Sequence, residues 1–233
     1  RGNRLCIISK RFYRFDQYQN SMKKIYIVGA GDFGRELESW IEQSINYGED
    51  FSIAGYLDPN PNALENKLSS YHILGTIENF SFNENDFVLI AISDIATRMR
   101  IVEFLKGRVK FFTFIDDRVV IGKNTKICEG AIICPNSLIS NNSYIGAFTI
   151  INTGSTIGHD CLIGEFCSLM ANVDIGGRAS IDKEVYLGTK STILPGLSVK
   201  SNIIVGASSL VIKSLTKKGT YFGVPTKFLG EFK

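Results

Sequence analysis

Aliphatic residues recur every sixth position through the second half of the chain without a break. A period of six fits neither a helix, which repeats every 3.6 residues, nor a sheet strand, which repeats every two. It is typical of a hexapeptide-repeat parallel β-helix, in which each hexad supplies one short strand and one corner. The register holds for seventeen residues: Ile115, Ile121, Ile127, Ile133, Ile139, Ile145, Ile151, Ile157, Ile163, Leu169, Ile175, Ile181, Leu187, Ile193, Val199, Val205 and Val211.

The residue two positions before each of these aliphatics is mostly small or β-branched, as at Ser155, Cys161 and Cys167. Because side chains alternate along a strand, both positions point to the same side, which we interpret as the core. Three hexads close one coil of about 18 residues, so the tract predicts about five coils.

The region before the repeats alternates strand and helix patterns, which predicts a parallel sheet with helices on its faces. The first strand ends in Gly29-Ala30-Gly31-Asp32-Phe33-Gly34. This is a GxGxxG turn after a strand pattern and before a helix pattern, the context in which the motif is informative. We therefore predict a small Rossmann-like α/β domain. Its expected elements are strands over 25–28, 51–57, 86–92 and 109–114 and helices over 35–45 and 95–105, the second capped by Asp94.

These patterns divide the chain into four predicted segments. Residues 1–21 show no period and precede Met22, which begins the first strand pattern, so we expect an unstructured extension there. Residues 22–113 form the Rossmann-like domain and 114–213 the β-helix. Residues 214–233 are too apolar to lie free in water and are expected to cap the β-helix, whose open end would leave unpaired strand edges.

Composition excludes several functional classes. The net charge of +3 is mild and no basic stripe is interleaved with aromatic residues, which argues against nucleic-acid binding. No apolar run approaches the roughly 18 residues that span a bilayer, so no membrane insertion is expected. Five cysteines, an odd number without metal-ligand spacing, predict thiols and a cytoplasmic location, with neither a disulfide framework nor a metal site.

His159 is the strongest candidate for chemistry. It lies two positions after the inward Ile157, so its imidazole is expected to face outward, where a packing role is excluded. Asp160 follows directly and would orient or charge-stabilise the ring, provided that the chain turns a corner here. A general base and a plain surface histidine both remain open from the residues alone. The other histidine, His72, has the pattern of a loop-to-strand residue.

The GxGxxG turn leaves more than one interpretation open. Asp58 ends the second strand pattern, where an acid that binds a ribose would lie, so an NAD site is one interpretation. The backbone amides at a helix start equally suit the diphosphate of a nucleotide sugar. A tight turn that binds no ligand is the third.

Three motifs in order resemble those of a known family. Gly-Ala-Gly-Asp-Phe-Gly-Arg-Glu at 29–36, Gly-His-Asp-Cys at 158–161 and Gly-Val-Pro-Thr-Lys at 223–227 are similar to those of bacterial hexapeptide-repeat sugar acetyltransferases. That family includes the nucleotide-4-amino-sugar N-acetyltransferases and the sialic acid O-acetyltransferases. The resemblance covers nearly everything from Met22 to Phe232.

The resemblance implies a left-handed β-helix, a homotrimer, and acetyl-CoA bound between neighbouring β-helices, with the nucleotide sugar held by the N-terminal domain. It implies that His159 is the general base and that Asp160 raises its basicity. The positions that match acetyl-CoA contacts, or lie beside them near the catalytic corner, are Ser168, Gly177, Gly188, Thr189, Gly206 and Ala207. The positions that match the nucleotide-sugar contacts are Gly31, Asp32, Phe33, Asp58, Ser93 and Asn152.

The chain departs from the family pattern at three points: some members have Gly-His in place of Asp32-Phe33, an acid in place of Pro59, and a histidine in place of Ser168. The expected function is acetyl-CoA-dependent N-acetylation of a nucleotide-linked 4-amino-6-deoxy sugar in bacterial surface glycan biosynthesis. O-acetylation of a sugar or sialic acid, and a non-catalytic nucleotide-binding or NAD-binding module, remain the alternatives.

Overall fold

The computed structural model describes residues 6–8 and 22–231. These residues form two compact units, one within 22–117 and one that contains 118–231 together with the short segment 6–8. The predicted fold class is confirmed: an α/β domain precedes a parallel β-helix, in an arrangement consistent with left-handed winding.

The N-terminal unit is a parallel five-stranded sheet with two helices. Its elements are β2 Lys23–Val28, α1 Asp32–Glu42, β3 Phe51–Leu57, β4 Ile73–Gly75, β5 Asp86–Ile90, α2 Ile95–Leu105 and β6 Lys110–Phe111. The strands lie in the order β4-β3-β2-β5-β6, and every neighbouring pair is parallel. The central strands are largely buried, as expected for a sheet covered on both sides.

α2 begins and ends as predicted, whereas α1 begins three residues before the predicted Arg35 and ends three residues before the predicted Ile45. Asp94 accepts a hydrogen bond from the Thr97 backbone amide and so caps α2. The turn before α1 depends on Gly34, because a Cβ at this position would lie 2.1 Å from the Gly29 carbonyl oxygen. The prediction missed β4, since three residues at the sheet edge are too few to show a period.

The β-helix is built from three parallel sheets. In each sheet a strand pairs with the strand 18 residues further along, as Leu138 pairs with Thr156. The strands of one sheet are β8 Val120–Ile121, β11 Leu138–Ile139, β14 Thr156–Ile157, β17 Asp174–Ile175, β20 Thr192–Ile193 and β23 Leu210–Val211, in this spatial order. We name the corner that follows these strands the histidine corner, since it contains His159.

The other two sheets follow the same rule. The second sheet's strands are β9 Lys126–Cys128, β12 Tyr144–Ile145, β15 Leu162–Ile163, β18 Ser180–Ile181 and β21 Ser198–Val199, in this order. The third sheet's are β7 Phe114–Ile115, β10 Ile132–Ile133, β13 Ile150–Ile151, β16 Ser168–Leu169, β19 Tyr186–Leu187 and β22 Ile203–Val205. We name the corner after the third sheet the glycine corner.

The inward aliphatic positions form the core of the prism, as predicted. Nearly all are buried, and the smaller residues two positions earlier are buried beside them. Several buried hydroxyls donate to the next coil, as where Ser143 Oγ donates to the Gly158 carbonyl at 2.9 Å, whereas the buried Ser191 hydroxyl has no hydrogen-bond partner among the described residues.

The corners repeat a left-handed backbone residue every six positions. From Asn124 to Ser208 the third residue after each inward aliphatic has a φ between about +55° and +72°. Asparagine, aspartate and glycine tolerate this conformation best, but Arg178 and Lys190 also adopt it. Stacking of the coils therefore imposes a conformation that the local sequence does not always favour.

Strands at both ends of the chain extend the β-helix sheets. β1 Cys6–Ile8 pairs antiparallel with β9, with Cys6 opposite Cys128. The predicted unstructured extension is therefore wrong for these three residues, and the rest of 1–21 lies outside the described residues. Cys128 is disulfide-bonded, so the prediction of thiols is wrong there. At the other end, β24 Gly219–Phe222 joins β22 in parallel and β25 Lys227–Gly230 returns antiparallel.

Within residues 6–8 and 22–231, the helices are too short or too polar to cross a bilayer.

The left-handed corners predict opposite effects for two similar substitutions. Ser208 has a φ of +55° and is exposed, so Ser208→Gly removes a steric cost of about 1–2 kcal/mol and should raise the free energy of unfolding by a net ~0.5 kcal/mol. Ser201→Gly, at a corner position with ordinary φ, should lower it by about 0.5–1 kcal/mol. Urea denaturation at unchanged m-value measures both, and a loss of equal size at the two sites would contradict a steric cost at Ser208.

Candidate active site

His159 lies on the histidine corner, directly after β14. Its side chain is 51% exposed, as the outward position predicts. The next residue, Asp160, has a φ of +58°, so the chain turns at the point where the pairing of two adjacent side chains requires a turn. The backbone holds this corner on both sides, because the Asp160 amide donates to the Asn141 carbonyl and the His159 carbonyl accepts from the Arg178 amide.

The two side chains form a short hydrogen bond. His159 Nδ1 lies 2.6 Å from Asp160 Oδ2. This bond, together with one from Asn142 Nδ2 to Asp160 Oδ1 at 3.2 Å, holds the pKa of the Asp160 carboxyl below its ordinary value. Because a carboxylate only accepts, Nδ1 must carry the hydrogen, and in the neutral ring Nε2 then presents a lone pair. The geometry thus sets up a proton acceptor at Nε2.

Gly177 provides the space that the imidazole occupies. It follows His159 by one coil on the histidine corner, and a Cβ on it would lie 2.6 Å from Nε2. The sequence predicts Gly177 as a cofactor contact; the structure adds a steric reason for glycine there. The sequence already indicates this contact, since His159 and Gly177 are 18 positions, or one coil, apart.

Cys161 is no competitor to His159 as the reacting group. It is fully buried in the prism, and burial raises the pKa of its thiol. Its Sγ lies 3.3 Å from the Gly176 carbonyl oxygen, facing the core. A buried protonated thiol is a poor nucleophile.

The positions predicted to contact acetyl-CoA lie mainly on the glycine corner. Thr189 and Ala207 are exposed there in successive coils. The two glycines beside them are required by stacking, because a Cβ on Gly188 would lie 2.5 Å from the Ala207 amide and one on Gly206 would lie 2.2 Å from the Phe222 ring. The structure therefore brings these four together, on a different corner from His159.

Two further predicted residues belong to the third sheet and its corner. Asn152 precedes Gly188 by two coils on the glycine corner and is partly exposed. Ser168, in β16, is completely buried among the described residues. Its hydroxyl is not open to a coenzyme in this conformation, and its predicted contact is the least supported of the set.

In the N-terminal unit the GxGxxG turn and Asp58 are in contact. Asp58 Oδ2 accepts a hydrogen bond from the Ala30 amide at 2.8 Å, and Oδ1 accepts from Asn60. Asp32 is exposed and forms an ion pair with Arg35, while Phe33 is partly exposed. Asp58 thus fixes the GxGxxG turn, for which the sequence leaves a dinucleotide, the diphosphate of a nucleotide sugar and no ligand open.

Ser93 lies in the loop between β5 and α2, at the carboxyl edge of the same sheet. Its carbonyl accepts from Arg98, whose guanidinium is buried. Sequence reasoning missed this arginine and also Glu38, a buried carboxylate that accepts hydrogen bonds from Tyr56, Ser69 and the Ser70 amide. A single charge on a helical pattern gives no sign that the fold will bury it.

Among the residues that the structure describes, none form a cluster of three or more side chains suited to holding a metal ion.

Family models match both parts of the chain. Residues 24–105 match the PglD N-terminal domain and residues 106–209 match the GMPPB C-terminal domain. The boundary between the two matches falls close to the change from α/β pattern to hexads.

Two curated relatives are acetyltransferases. GDP-perosamine N-acetyltransferase of Escherichia coli O157:H7 is 28% identical over 187 residues, which are 78% of this chain and 82% of the relative. A probable macrolide acetyltransferase of Lysinibacillus sphaericus is 27% identical over 118 residues, 51% of this chain. The match spans only 62% of that relative's length.

Solved structures share the fold across most of the chain. WeeI from Acinetobacter baumannii AYE is 26% identical with a TM-score of 0.78, covering 90% of this chain and 100% of WeeI. The acetyltransferase domain of PglB from Neisseria gonorrhoeae FA1090, in complex with acetyl coenzyme A, is 22% identical with a TM-score of 0.80 over 90% and 100% of the two chains. The comparisons confirm the resemblance to hexapeptide-repeat sugar acetyltransferases.

The packing of Gly177 against the imidazole predicts a specific loss. Gly177→Ala should displace the His159 ring and lower kcat/KM by about 10²-fold, the cost of a misplaced catalytic group. It should also lower the melting temperature, whereas in a His159→Ala background the new methyl has room and the thermal loss should disappear. Equal thermal losses in the two backgrounds, or near-normal activity of Gly177→Ala, would contradict the contact.

Proposed function

We propose that this chain, as a hexapeptide-repeat sugar acetyltransferase, transfers the acetyl group of acetyl-CoA to the amino group of a nucleotide-linked 4-amino-6-deoxy sugar. The observation that carries the proposal is the hydrogen-bonded His159–Asp160 pair on an exposed β-helix corner, with Nε2 available to accept a proton. The acetyltransferase relatives support the reaction class, and the similarity to a fold that binds acetyl coenzyme A in PglB supports the co-substrate.

In the proposed reaction His159 is the general base. The neutral sugar amine attacks the thioester carbonyl while Nε2 removes a proton from the nitrogen. A C–N bond forms, the C–S bond breaks, and the imidazolium returns the proton to the departing thiolate, which leaves as coenzyme A. Asp160 stabilises the transient imidazolium, since its carboxylate is already bound to Nδ1. Backbone amides near Gly176 and Gly177 are our candidates for binding the developing oxyanion.

The acceptor is proposed to bind at the N-terminal unit. Gly31 is the N-cap of α1 and the backbone amides of Asp32 and Phe33 belong to its first turn, where a helix N-terminus favours a diphosphate. We include Asp58 and Ser93 among the residues that bind the nucleotide sugar. The curated relative named for GDP-perosamine makes a GDP-linked 4-amino sugar the first acceptor to test.

The coenzyme is proposed to bind against a neighbouring copy. Thr189 and Ala207 face outward on the glycine corner, while His159 lies on the histidine corner. Residues on two corners of one prism meet in a single site when the glycine corner of one copy faces the histidine corner of the next. A homotrimer closes this arrangement with three equivalent sites.

We place the reaction in the cytoplasm and in the biosynthesis of a bacterial surface glycan. The support is the thiol state of Cys134, Cys161 and Cys167 together with the nucleotide-sugar chemistry of the acceptor. The disulfide at Cys128 argues against a cytoplasmic location, because such bonds are rare in reducing compartments.

Activity with a defined acceptor panel tests the proposal. Coenzyme A release from acetyl-CoA is measured with UDP-, dTDP- and GDP-linked 4-amino-6-deoxy sugars and with free sialic acid. We expect turnover with one nucleotide amino sugar, and a fall of about 10²–10⁴-fold in His159→Ala, which removes the general base. The activity of Asp160→Asn should lie between that of the wild type and that of His159→Ala, since this substitution removes the charge but keeps a side chain of the same size.

Four outcomes, two from this panel and two from thermal melting with added ligand, would change the conclusion. Release only with sialic acid would make the chain an O-acetyltransferase with the same base, and activity of His159→Ala within threefold of wild type would contradict the mechanism. Acetyl-CoA that fails to raise the melting temperature would contradict the transferase function, because a ligand that binds the native state must stabilise it. A melting temperature that rises with NADH would favour the alternative of an NAD-binding module.

A site shared between copies predicts complementation. Ala207→Arg should block the coenzyme and His159→Ala should remove the base, so each variant alone is inactive. The two variants are then unfolded together and refolded as mixed trimers. Some sites would combine the intact glycine corner of one copy with the intact His159 of the other, and activity should return. Mixed trimers that stay as inactive as the separate variants would show that each site lies within one chain.

A further inference from the structure

Side chains on the histidine corner form a hydrogen-bonded ladder that ends at Asp160. Asn124, Asn142 and Asp160 occupy the same left-handed position in three successive coils, with φ values of +59°, +58° and +58°. Asn124 Nδ2 donates to Asn142 Oδ1 at 3.2 Å, and Asn142 Nδ2 donates to Asp160 Oδ1 at 3.2 Å. The ladder lies along the coil axis, one step per 18 residues.

The carboxylate at the end of the ladder fixes the direction of every bond in it. Ionised Asp160 only accepts, so Asn142 must present its amide nitrogen and leave its oxygen towards Asn124. Asn124 must then donate in its turn. Asn142 donates to Oδ1 of Asp160, and His159 Nδ1 bonds the other oxygen, Oδ2.

We propose that Asn142 is a positioning residue for the reaction, which holds the Asp160 carboxylate in the orientation that keeps the hydrogen of His159 on Nδ1, and that Asn124 supports Asn142 in this role. The ladder fixes which nitrogen of His159 carries the lone pair without touching either substrate. This role rests on the proposed function of His159 as the base.

The electrostatic surroundings of the ladder are simple. Arg178 occupies the left-handed position one coil after Asp160 on the same corner. The hydrogen bonds from His159 and Asn142 lower the pKa of the Asp160 carboxyl, and the charge of Arg178 adds to their effect. Lys123 lies beside Asn124 on the same corner and is exposed. A carboxylate introduced at 142 would add a negative charge beside a group that is already anionic.

Two variants at Asn142 test separate properties: Asn142→Gly tests the loss of the side-chain amide, and Asn142→Asp tests an added negative charge. Glycine adopts a positive φ at no steric cost, so Asn142→Gly removes the amide without straining the corner. Asn202 has a φ of +59° on the corner that follows the second sheet, away from His159, and the same substitutions there are matched controls.

Transfer activity is the first measurement. Asn142→Gly should lower kcat about tenfold, the lower range found when a group that orients a functional side chain is lost, while KM for acetyl-CoA stays unchanged. Asn124→Gly should have a smaller effect in the same direction, and Asn202→Gly should have none. Equal kcat values for Asn142→Gly and Asn202→Gly would overturn the proposal.

Titration of the histidine by NMR tests the ladder without any turnover. The chain has two histidines, and His72→Gln assigns their signals. Asn142→Asp adds a negative charge near the imidazolium, so the pKa of His159 should rise by about half a unit relative to Asn202→Asp. An unchanged His159 pKa would refute the ladder even in an active enzyme. A raised pKa in a protein that transfers no acetyl group would uphold the ladder and refute the proposed function instead.

Discussion

The structure depends on the hydrogen bonding of each coil to the next, 18 residues further on. Backbone amides at the corners as well as in the strands donate to the next coil, as from Gly158 to Ile175. The stacking is what allows Arg178 and Lys190 to hold a left-handed backbone, whose local cost is about 1–2 kcal/mol per residue. It also forces glycine where two coils approach most closely, as at Gly188.

The same interval builds the candidate active site. His159 and Asp160 are neighbours in sequence, yet their geometry is set by residues one coil before and one coil after. Asn142 occupies one carboxylate oxygen of Asp160, and Gly177 leaves space for the imidazole. A repeat that fills a core thus positions an exposed proton acceptor on a rigid corner, where the ring's orientation is held by hydrogen bonds and packing.

The predictable features of the molecule follow from periodicity. The inward register and the outward His159 come directly from the six-residue pattern, and Asp94 was recognisable as a helix cap. The ladder through Asn142 needed a second period of 18, which becomes visible only when the coil length is applied to polar residues. The strand Cys6–Ile8 and the burial of Arg98 depend on tertiary pairing, for which a three-residue segment or a single charge gives no local signal.

The tautomer of His159 tests the central claim most directly. Nitrogen-15 NMR of the imidazole, recorded at a pH where the ring is neutral, distinguishes a protonated nitrogen from one with a lone pair. Because Asp160 accepts from Nδ1, Nε2 should show the shift of an unprotonated nitrogen in the wild type, and the two forms should mix in Asp160→Ala. A wild-type ring protonated at Nε2 would contradict its role as the base.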